Sequence, residues 1–303
     1  MIHPQAWAAT LAASERAQWR IEDVITEDDR LDPGRTFLPE ALARTNAAAG
    51  LSARQRAVLN QIAGHQYLWM FGLVEEFILP FVLDHLRDSL DGEDARVRAL
   101  LNFAAEEAKH IELFRRFHRA YQRDVGTDGQ MIGPAGAVAA EVLGHDPLAV
   151  ALIILHIEWM TQAHYVESVR GQPELDPLFV SLLRHHWMEE AQHAKLDTFM
   201  VETLAEGRDA ASLDAAVDGY LAIGGFLDAG LRAQAGFNID ALGEVTGFAP
   251  APADREALAA QQHQAARWTY LGSGMRHPKF RATLGAIHPA GLARIDAAAP
   301  AFC

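Results

Sequence analysis

The chain has 303 residues, half of them hydrophobic, and a formal net charge of −14. This length allows one large domain or two small ones with a substantial core, and the negative charge argues against nucleic acid or an anionic membrane surface as a partner. The one cysteine, Cys303, excludes disulfides and cysteine-ligated metal sites within one chain, so any metal chemistry must use histidines and carboxylates.

The N-terminal segment shows no sign of a targeting or membrane sequence. Met1 to Arg20 carries scattered charges without an apolar core, and no stretch of the chain approaches 18 uninterrupted apolar residues. These features predict a soluble, cytoplasmic protein with no membrane partner.

Helix caps and breakers predict an all-α chain. Residues 1–50 are expected to form a strap with a short helix from Pro4 to Arg20, and Ser52 with Gln55 resembles a capping box that opens a long helix to about Asp88. Asp91-Gly92 closes that helix, and Asp-Pro pairs at 146–147 and 176–177 start two later ones. Together these signals predict further helices over about Glu93–Tyr121, 137–143, 147–170, 177–205, 209–235 and 254–272. The C-terminal tail contains several residues that interrupt helices, namely Gly274, Pro278, Gly285, Pro289 and Gly291.

We therefore expect one helical domain over residues 1–303. In this interpretation residues 1–50 form the strap, residues 51–205 form a four-helix core, and residues 206–303 add C-terminal helices. No alternating run of β-branched residues is long enough to predict a sheet.

A pentapeptide of the form E-E-A-x-H occurs twice, at 106–110 and 189–193. A Glu and a His three residues apart project from the same face of a helix. Each of the two pairs, Glu107 with His110 and Glu190 with His193, can therefore bind a metal ion. One such pair alone is more often a surface ion pair. Two pairs together with two further carboxylates match the ligand pattern of a dinuclear site in a four-helix bundle.

The spacing of residues in the sequence indicates which glutamates supply those further carboxylates. Glu107 and Glu190 are 83 residues apart, and the same offset maps Glu75 onto Glu158, each 32 residues before its partner. Glu75 is preferred over its neighbour Glu76 because counting helical turns from the polar end of the helix places Glu75 opposite the solvent face. Glu158 stands among apolar residues, where an unpaired carboxylate would be costly.

The resulting donor set suits iron or manganese better than zinc or copper thiolate sites, and it leaves open positions for O2. Glu106 and Glu189, one before each ligand glutamate, are expected either to hydrogen-bond the far nitrogen of the opposite pair's histidine or to be solvated. His65, His156 and His164 are expected to be core residues or supports of the site. Aromatic residues at helical spacing, which pack in the core or shape a pocket, are Phe71, Phe103, Phe114, Trp159 and Trp187.

Over about residues 55–205 the chain resembles the ferritin-like di-iron carboxylate superfamily. His186, one turn before Glu190, gives H-x-x-x-E-x-x-H, which is similar to the p-aminobenzoate N-oxygenase family, where a seventh protein ligand joins the usual six. The resemblance implies a ferritin-like bundle, two iron ions with manganese or mixed Mn/Fe as alternatives, and O2 as co-substrate. It also implies oxygenation of an amine or another small organic substrate and an electron donor such as a reductase or ferredoxin. Helical bundles with exposed apolar faces commonly form homodimers.

The sequence disfavours some other branches of that superfamily and is compatible with others. Phe114 stands where the radical-bearing reductase subunit has its tyrosine, so a stable tyrosyl radical at that position is excluded. Ferritins are shorter than this chain, so iron storage is disfavoured. An acyl-chain desaturase or hydroxylase, a non-enzymatic iron-binding protein and a manganese or mixed-metal redox protein remain the alternatives.

Overall fold

A computed structural model describes residues 4–87 and 95–303. In these ranges the regular elements are helices, and one isolated bridge joins Thr36 to Leu175. The helices are α1 (Pro4–Ala17), α2 (Glu40–Ala43), α3 (Ala53–Leu86), α4 (Ala95–Val125), α5 (Ala135–Leu143), α6 (Pro147–Ala163), α7 (Pro177–Ala205), α8 (Ala210–Thr246), α9 (Pro252–Arg267), α10 (Ser273–Met275), α11 (Pro278–Ile287) and α12 (Pro289–Ala298). Single π-helical segments extend α6 over His164–Val169 and α9 over Trp268–Gly272.

Two antiparallel helix pairs form the centre of the fold. In the first pair, α3 and α4, Glu76 meets Arg115 whereas the earlier His65 meets the later His118, so the helices run in opposite directions. In the second pair, Tyr165 of the π-helical extension of α6 stacks on Trp187 of α7, whereas Asp146 before α6 pairs with Arg208 after α7, so these helices also run in opposite directions. Helix α4 contacts α7 across the bundle. This arrangement confirms the predicted all-α, ferritin-like four-helix bundle with additional N- and C-terminal helices.

The helix starts predicted at Ser52, Asp146 and Asp176 are confirmed by the structure. Ser52 and Gln55 form a reciprocal capping box at the start of α3. Asp146 and Asp176 cap α6 and α7 with their side chains, each followed by Pro at the first helical position. The predicted helix end at Asp88, the break at Asp91-Gly92 and the start at Glu93 lie outside the described residues.

The C-terminal region is more helical than the sequence indicated. Helix α8 does not end near Ala235 but continues to Thr246, because Ile239 and Leu242 keep one face buried, and it stops at Gly247, whose φ of 73° is left-handed. Pro278 and Pro289 open α11 and α12, a position where the missing N–H costs nothing.

The N-terminal segment lies across the bundle. Helix α1 packs against α4 and α7. Asn60 Oδ1 accepts hydrogen bonds from the backbone N–H groups of Phe37 and Leu38, at 2.8 and 3.0 Å. Asp176 N donates to the carbonyl of Thr36 at 2.8 Å. These bonds fix the segment to the start of α3 and the start of α7.

Among the described helices two, α3 and α8, are long and apolar enough to span a membrane by length and composition alone. In the apolar window of α3, 67% of the residues are buried inside the protein, compared with 28% in that of α8. The burial of α3 is that of a core helix, and the cytoplasmic location stays a prediction.

Adding a methyl group at Gly64 is expected to destabilise the fold. A Cβ there would lie 2.6 Å from Phe37 Cβ and 3.3 Å from the Phe179 ring, so it would push the N-terminal segment off α3. We expect Gly64→Ala to lower the free energy of unfolding by about 1–3 kcal/mol, measured by denaturant titration.

The control is Gly225→Ala on the exposed face of α8, where a Cβ meets nothing within 4 Å. This change should leave stability unchanged or raise it by up to about 1 kcal/mol, as alanine does in a helix interior. Equal stability of the two variants would contradict the described packing of Phe37 on Gly64.

Candidate dinuclear metal centre

Seven side chains from four helices meet at the centre of the bundle. Each of these side chains is at most 3% exposed. They are Glu75 on α3, Glu107 and His110 on α4, Glu158 on α6, and His186, Glu190 and His193 on α7. The structure thus brings together every residue that the sequence predicts as a metal ligand, while ligation itself stays a prediction.

One end of the cluster contains two histidines. Nε2 of His186 lies 3.0 Å from Oε1 of Glu75 and 3.0 Å from Oε1 of Glu190. Nδ1 of His110 lies 3.1 Å from the same Glu190 oxygen and 3.7 Å from Glu75 Oε1. One donor atom from each of these four residues falls within 4.8 Å of the others, a spacing suited to a single cation.

The other end is built around His193. Its Nδ1 lies 2.9 Å from Glu107 Oε1 and 3.3 Å from Glu190 Oε1. Donor atoms of Glu107, His110, Glu190 and His193 form a second set within 4.8 Å. His110 and Glu190 belong to both sets, so the cluster is suited to hold two metal ions side by side.

Glu158 is buried beside this second set but is not a member of it. Glu190 and Asp197 are its main acidic neighbours. Its place among Ile154, Leu155 and Ile157 is as apolar as the sequence indicated.

The outer nitrogens of two histidines are held by the acidic residues that precede the ligand glutamates. His110 Nε2 donates to Glu189 Oε2, and His193 Nε2 donates to Glu106 Oε2, both at 2.8 Å. Each acid therefore serves the opposite helix's histidine, which confirms the hydrogen-bonded alternative over the solvated one. These bonds turn Nδ1 of both rings into the cluster.

The ambiguity between Glu75 and Glu76 is resolved by orientation. Glu75 is 3% exposed and faces the histidines. Glu76 lies on the outer side of α3, where its carboxylate accepts a hydrogen bond from Arg115 at 2.9 Å. His185, the neighbour of His186, likewise turns away and pairs with the carbonyl of Ser181 at 2.7 Å.

Many of the inward-facing polar atoms have no hydrogen-bond partner among the described residues. They are Glu75 Oε2, both oxygens of Glu107, His110 Nδ1, Glu158 Oε2, Glu190 Oε1, His193 Nδ1 and both oxygens of Asp197. Buried polar atoms are otherwise almost always paired, and an unpaired buried charge is expensive. Nitrogen and carboxylate donors that face one small volume without partners fit two cations in that volume.

The pKa values of the cluster also reflect how closely its buried carboxylates and imidazoles are placed. Burial, assisted by neighbouring carboxylates, raises the pKa of Glu75 and of Glu158 well above the usual range. Burial also favours neutral Glu190, but His186 and His193 outweigh it and hold the pKa of Glu190 well below its usual value. The pKa of His110 rises to about 9, because Glu189 and Glu190 outweigh the effect of burial. Cations would replace the protons that these groups must otherwise share.

The remaining histidines of the predicted core lie outside both donor sets. His156 pairs with Tyr220 Oη at 2.6 Å, and His164 pairs with Tyr67 Oη at 2.9 Å. His65 hydrogen-bonds His118. These contacts are those of satisfied core histidines.

Sequence reasoning missed the part of the N-terminal segment that completes the site. Ser14 Oγ donates to Glu106 Oε1 at 2.6 Å, and Trp19 stacks on the His110 ring with centroids 5.8 Å apart. Lys109 lies over the Trp19 ring and pairs with Glu189. No spacing rule links residues about 90 positions apart, although a Trp beside an amphipathic first helix hinted at burial.

No protein-family model matches the chain, and no curated protein matches it. Among solved structures, the chain is similar to an R2-like ligand-binding oxidase with an aerobically reconstituted metal cofactor. The identity is 15% and the TM-score 0.47, over 90% of this chain and 92% of that one.

The chain is also similar to two mutants of an R2-like ligand-binding oxidase. One, with an aerobically reconstituted Mn/Fe cofactor, has 15% identity and a TM-score of 0.45 over 92% and 93% of the two chains. The other, with an Fe/Fe cofactor, has 14% identity and a TM-score of 0.42 over 87% and 92%.

Replacing Glu75 by glutamine is expected to weaken metal binding, because it removes the carboxylate that faces His110 and His186. Glu75→Gln should lose at least one of two bound equivalents of Mn²⁺ or Fe²⁺ and most of the rise in melting temperature that the metal produces. Metal analysis after gel filtration and thermal denaturation measure both effects.

Glu76→Gln is the matched control, one residue away on the outer face of α3. It should keep both equivalents and the full metal-dependent stabilisation. Equal loss in the two variants, or no loss in Glu75→Gln, would contradict the assignment of Glu75 to the cluster.

Proposed function

We propose that the protein is an O2-dependent oxidoreductase of the monooxygenase type that holds two iron ions in the central cluster. The observation that carries this proposal is the pair of overlapping donor sets that share His110 and Glu190. Mixed carboxylate and imidazole donors suit iron, with manganese or a mixed Mn/Fe pair as alternatives.

The residues divide naturally between two ions. Glu75 and His186 would help to hold one ion, Glu107, Glu158 and His193 would help to hold the other, and His110 and Glu190 belong to both donor sets. When bound, the two iron ions supply the electrons and the binding site that O2 activation requires.

The chain's own groups keep the centre oriented and dry. Glu189 and Glu106 each accept the outer N–H of an imidazole and so fix its tautomer and direction. Phe71 and Phe114 pack on His186 with ring centroids 5.6 and 5.1 Å away, and Phe103 stacks on His193 at 4.1 Å. These aromatic rings exclude water from the reacting volume.

The other two predicted aromatics play different parts. Trp159 stacks on His277 and lies under Lys279, whereas Trp187 stacks on Tyr165. Both therefore pack at the joins between helices, and neither ring stacks on a histidine of the cluster.

A cavity of about 330 Å³ adjoins Phe114 and offers a place for a small substrate. Its walls combine Trp69, Phe114 and Leu68 with the polar side chains of Arg115 and His118. This volume and mixture of apolar and polar groups fit a small organic molecule, and we propose an amine or another electron-rich compound.

The reaction requires an external electron donor. Transfer of one oxygen atom of O2 to the substrate and reduction of the other to water consumes two electrons and two protons. We propose that a reductase or ferredoxin supplies them. Homodimer formation and the absence of nucleic-acid and membrane partners stay predictions.

A second function, desaturation or hydroxylation of an acyl chain, is favoured by another cavity. An apolar cavity of about 450 Å³ lies between α3, α5 and α8. It shares Met70, Val74 and Leu227 with a narrow cavity that reaches Phe71 and Ile157 beside the cluster. Such a path suits a long apolar chain better than a small polar molecule.

Reconstitution with Fe²⁺ under anaerobic conditions tests the proposed function directly. We expect two iron ions per chain by metal analysis, consumption of O2 by the reduced protein, and oxidation of at least one amine in a panel detected by mass spectrometry. Glu107→Ala is the control and should lose both iron and O2 consumption. Fewer than two ions per chain in the wild type would contradict the dinuclear site, and many ions per chain would indicate iron storage.

Filling one cavity at a time distinguishes the two substrate classes. Gly72→Leu projects into the 330 Å³ cavity, where the nearest neighbour of a Cβ is Phe114 at 3.9 Å, and Val138→Phe fills the 450 Å³ cavity. For an amine substrate, Gly72→Leu should raise KM about tenfold or more with two metals still bound, and Val138→Phe should leave KM unchanged. The reverse pattern would support an acyl chain instead.

A further inference from the structure

Asp197 lies on the same face of α7 as the predicted ligands of that helix. The positions 186, 190, 193 and 197 are separated by four, three and four residues, so their side chains follow one line along the helix. All four are buried, with exposed fractions of 2, 2, 0 and 0%. Neither the repeat of the pentapeptide nor the offset of 83 residues predicted Asp197 as a metal ligand.

The carboxylate of Asp197 has no hydrogen-bond partner for either oxygen among the described residues. A buried ionised carboxylate needs a cation or several donors. Protonation would not remove the difficulty, because the added O–H would itself need an acceptor. The side chain is thus unexplained by the protein groups around it.

The groups whose charges act on Asp197 belong to the cluster. They are His193, Glu107 and Glu190, and Asp197 in turn acts on Glu158. With Asp197 the centre contains five carboxylates, which two divalent cations would largely neutralise. A cation between Glu158 and His193 would therefore give Asp197 the partner that it lacks.

We infer that Asp197 is an eighth protein ligand and binds the metal ion at the Glu158–His193 end of the cluster. This inference rests on the proposed dinuclear centre. The two ends of the cluster then differ in the kind of donor that α7 adds to each. His186 adds a nitrogen donor one turn before Glu190, and Asp197 adds an oxygen donor one turn after His193.

Calorimetric titration of the metal-free full chain with Mn²⁺ tests the inference, with Asp197→Asn as the variant. The substitution keeps the shape of the side chain but removes its charge. We expect the wild type to bind two equivalents, and Asp197→Asn to bind one as tightly and the other at least tenfold more weakly. Glu202→Gln, an exposed carboxylate on the same helix, is the control and should bind both equivalents as the wild type does.

Thermal denaturation separates a ligand from a structural acid. Metal-free Asp197→Asn should melt at or above the metal-free wild type, because an unpaired buried carboxylate has been removed, and it should gain less from added Mn²⁺. A variant that binds both equivalents with wild-type affinity would overturn the inference and leave the proposed function standing. A wild type that binds fewer than two equivalents would overturn both.

Discussion

The burial of carboxylates and imidazoles without partners is the constraint on which this structure depends. Glu75, Glu107, Glu158 and Glu190 are each at most 3% exposed, and most of their inward oxygens accept no hydrogen bond from the described residues. Helices would not converge on such groups for the sake of packing, because apolar side chains of the same size would be more stable there. The surrounding bundle is understandable as a scaffold that holds these donors around cations.

The protein supports the cluster through a second ring of contacts that reaches the N-terminal segment. Glu106 joins His193 to Ser14 and Asn102, and Glu189 joins His110 to Lys109. Helix α1 and Trp19 therefore cover the outer side of α4 and α7 and keep the two histidine rings in place. A segment that looks peripheral in the sequence thus helps to determine which ring nitrogens face the centre.

Aromatic side chains pack against the cluster, and two cavities lie near those side chains. Phe71 and Phe114 separate His186 from the space outside α3 and α4, and the cavity next to Phe114 carries both apolar and polar walls. The second, apolar cavity approaches the cluster from the side of α8. The two cavities differ in polarity, so under the proposed function each would admit a different class of substrate.

Capping residues and helical periodicity were enough to predict the core helices and the seven candidate donors, because residues three or four apart lie on one face of a helix whatever surrounds them. That local rule paired Glu107 with His110 and Glu190 with His193, and the repeat extended it to Glu75 and Glu158. The packing of the helices settled that Glu189 serves His110 and Glu106 serves His193, that Ser14 and Trp19 complete the site, and that Asp197 lies buried without a hydrogen-bond partner among the described residues. Those relations join residues on different helices or depend on which donors surround a side chain, and they follow from how the helices pack rather than from any spacing along the chain.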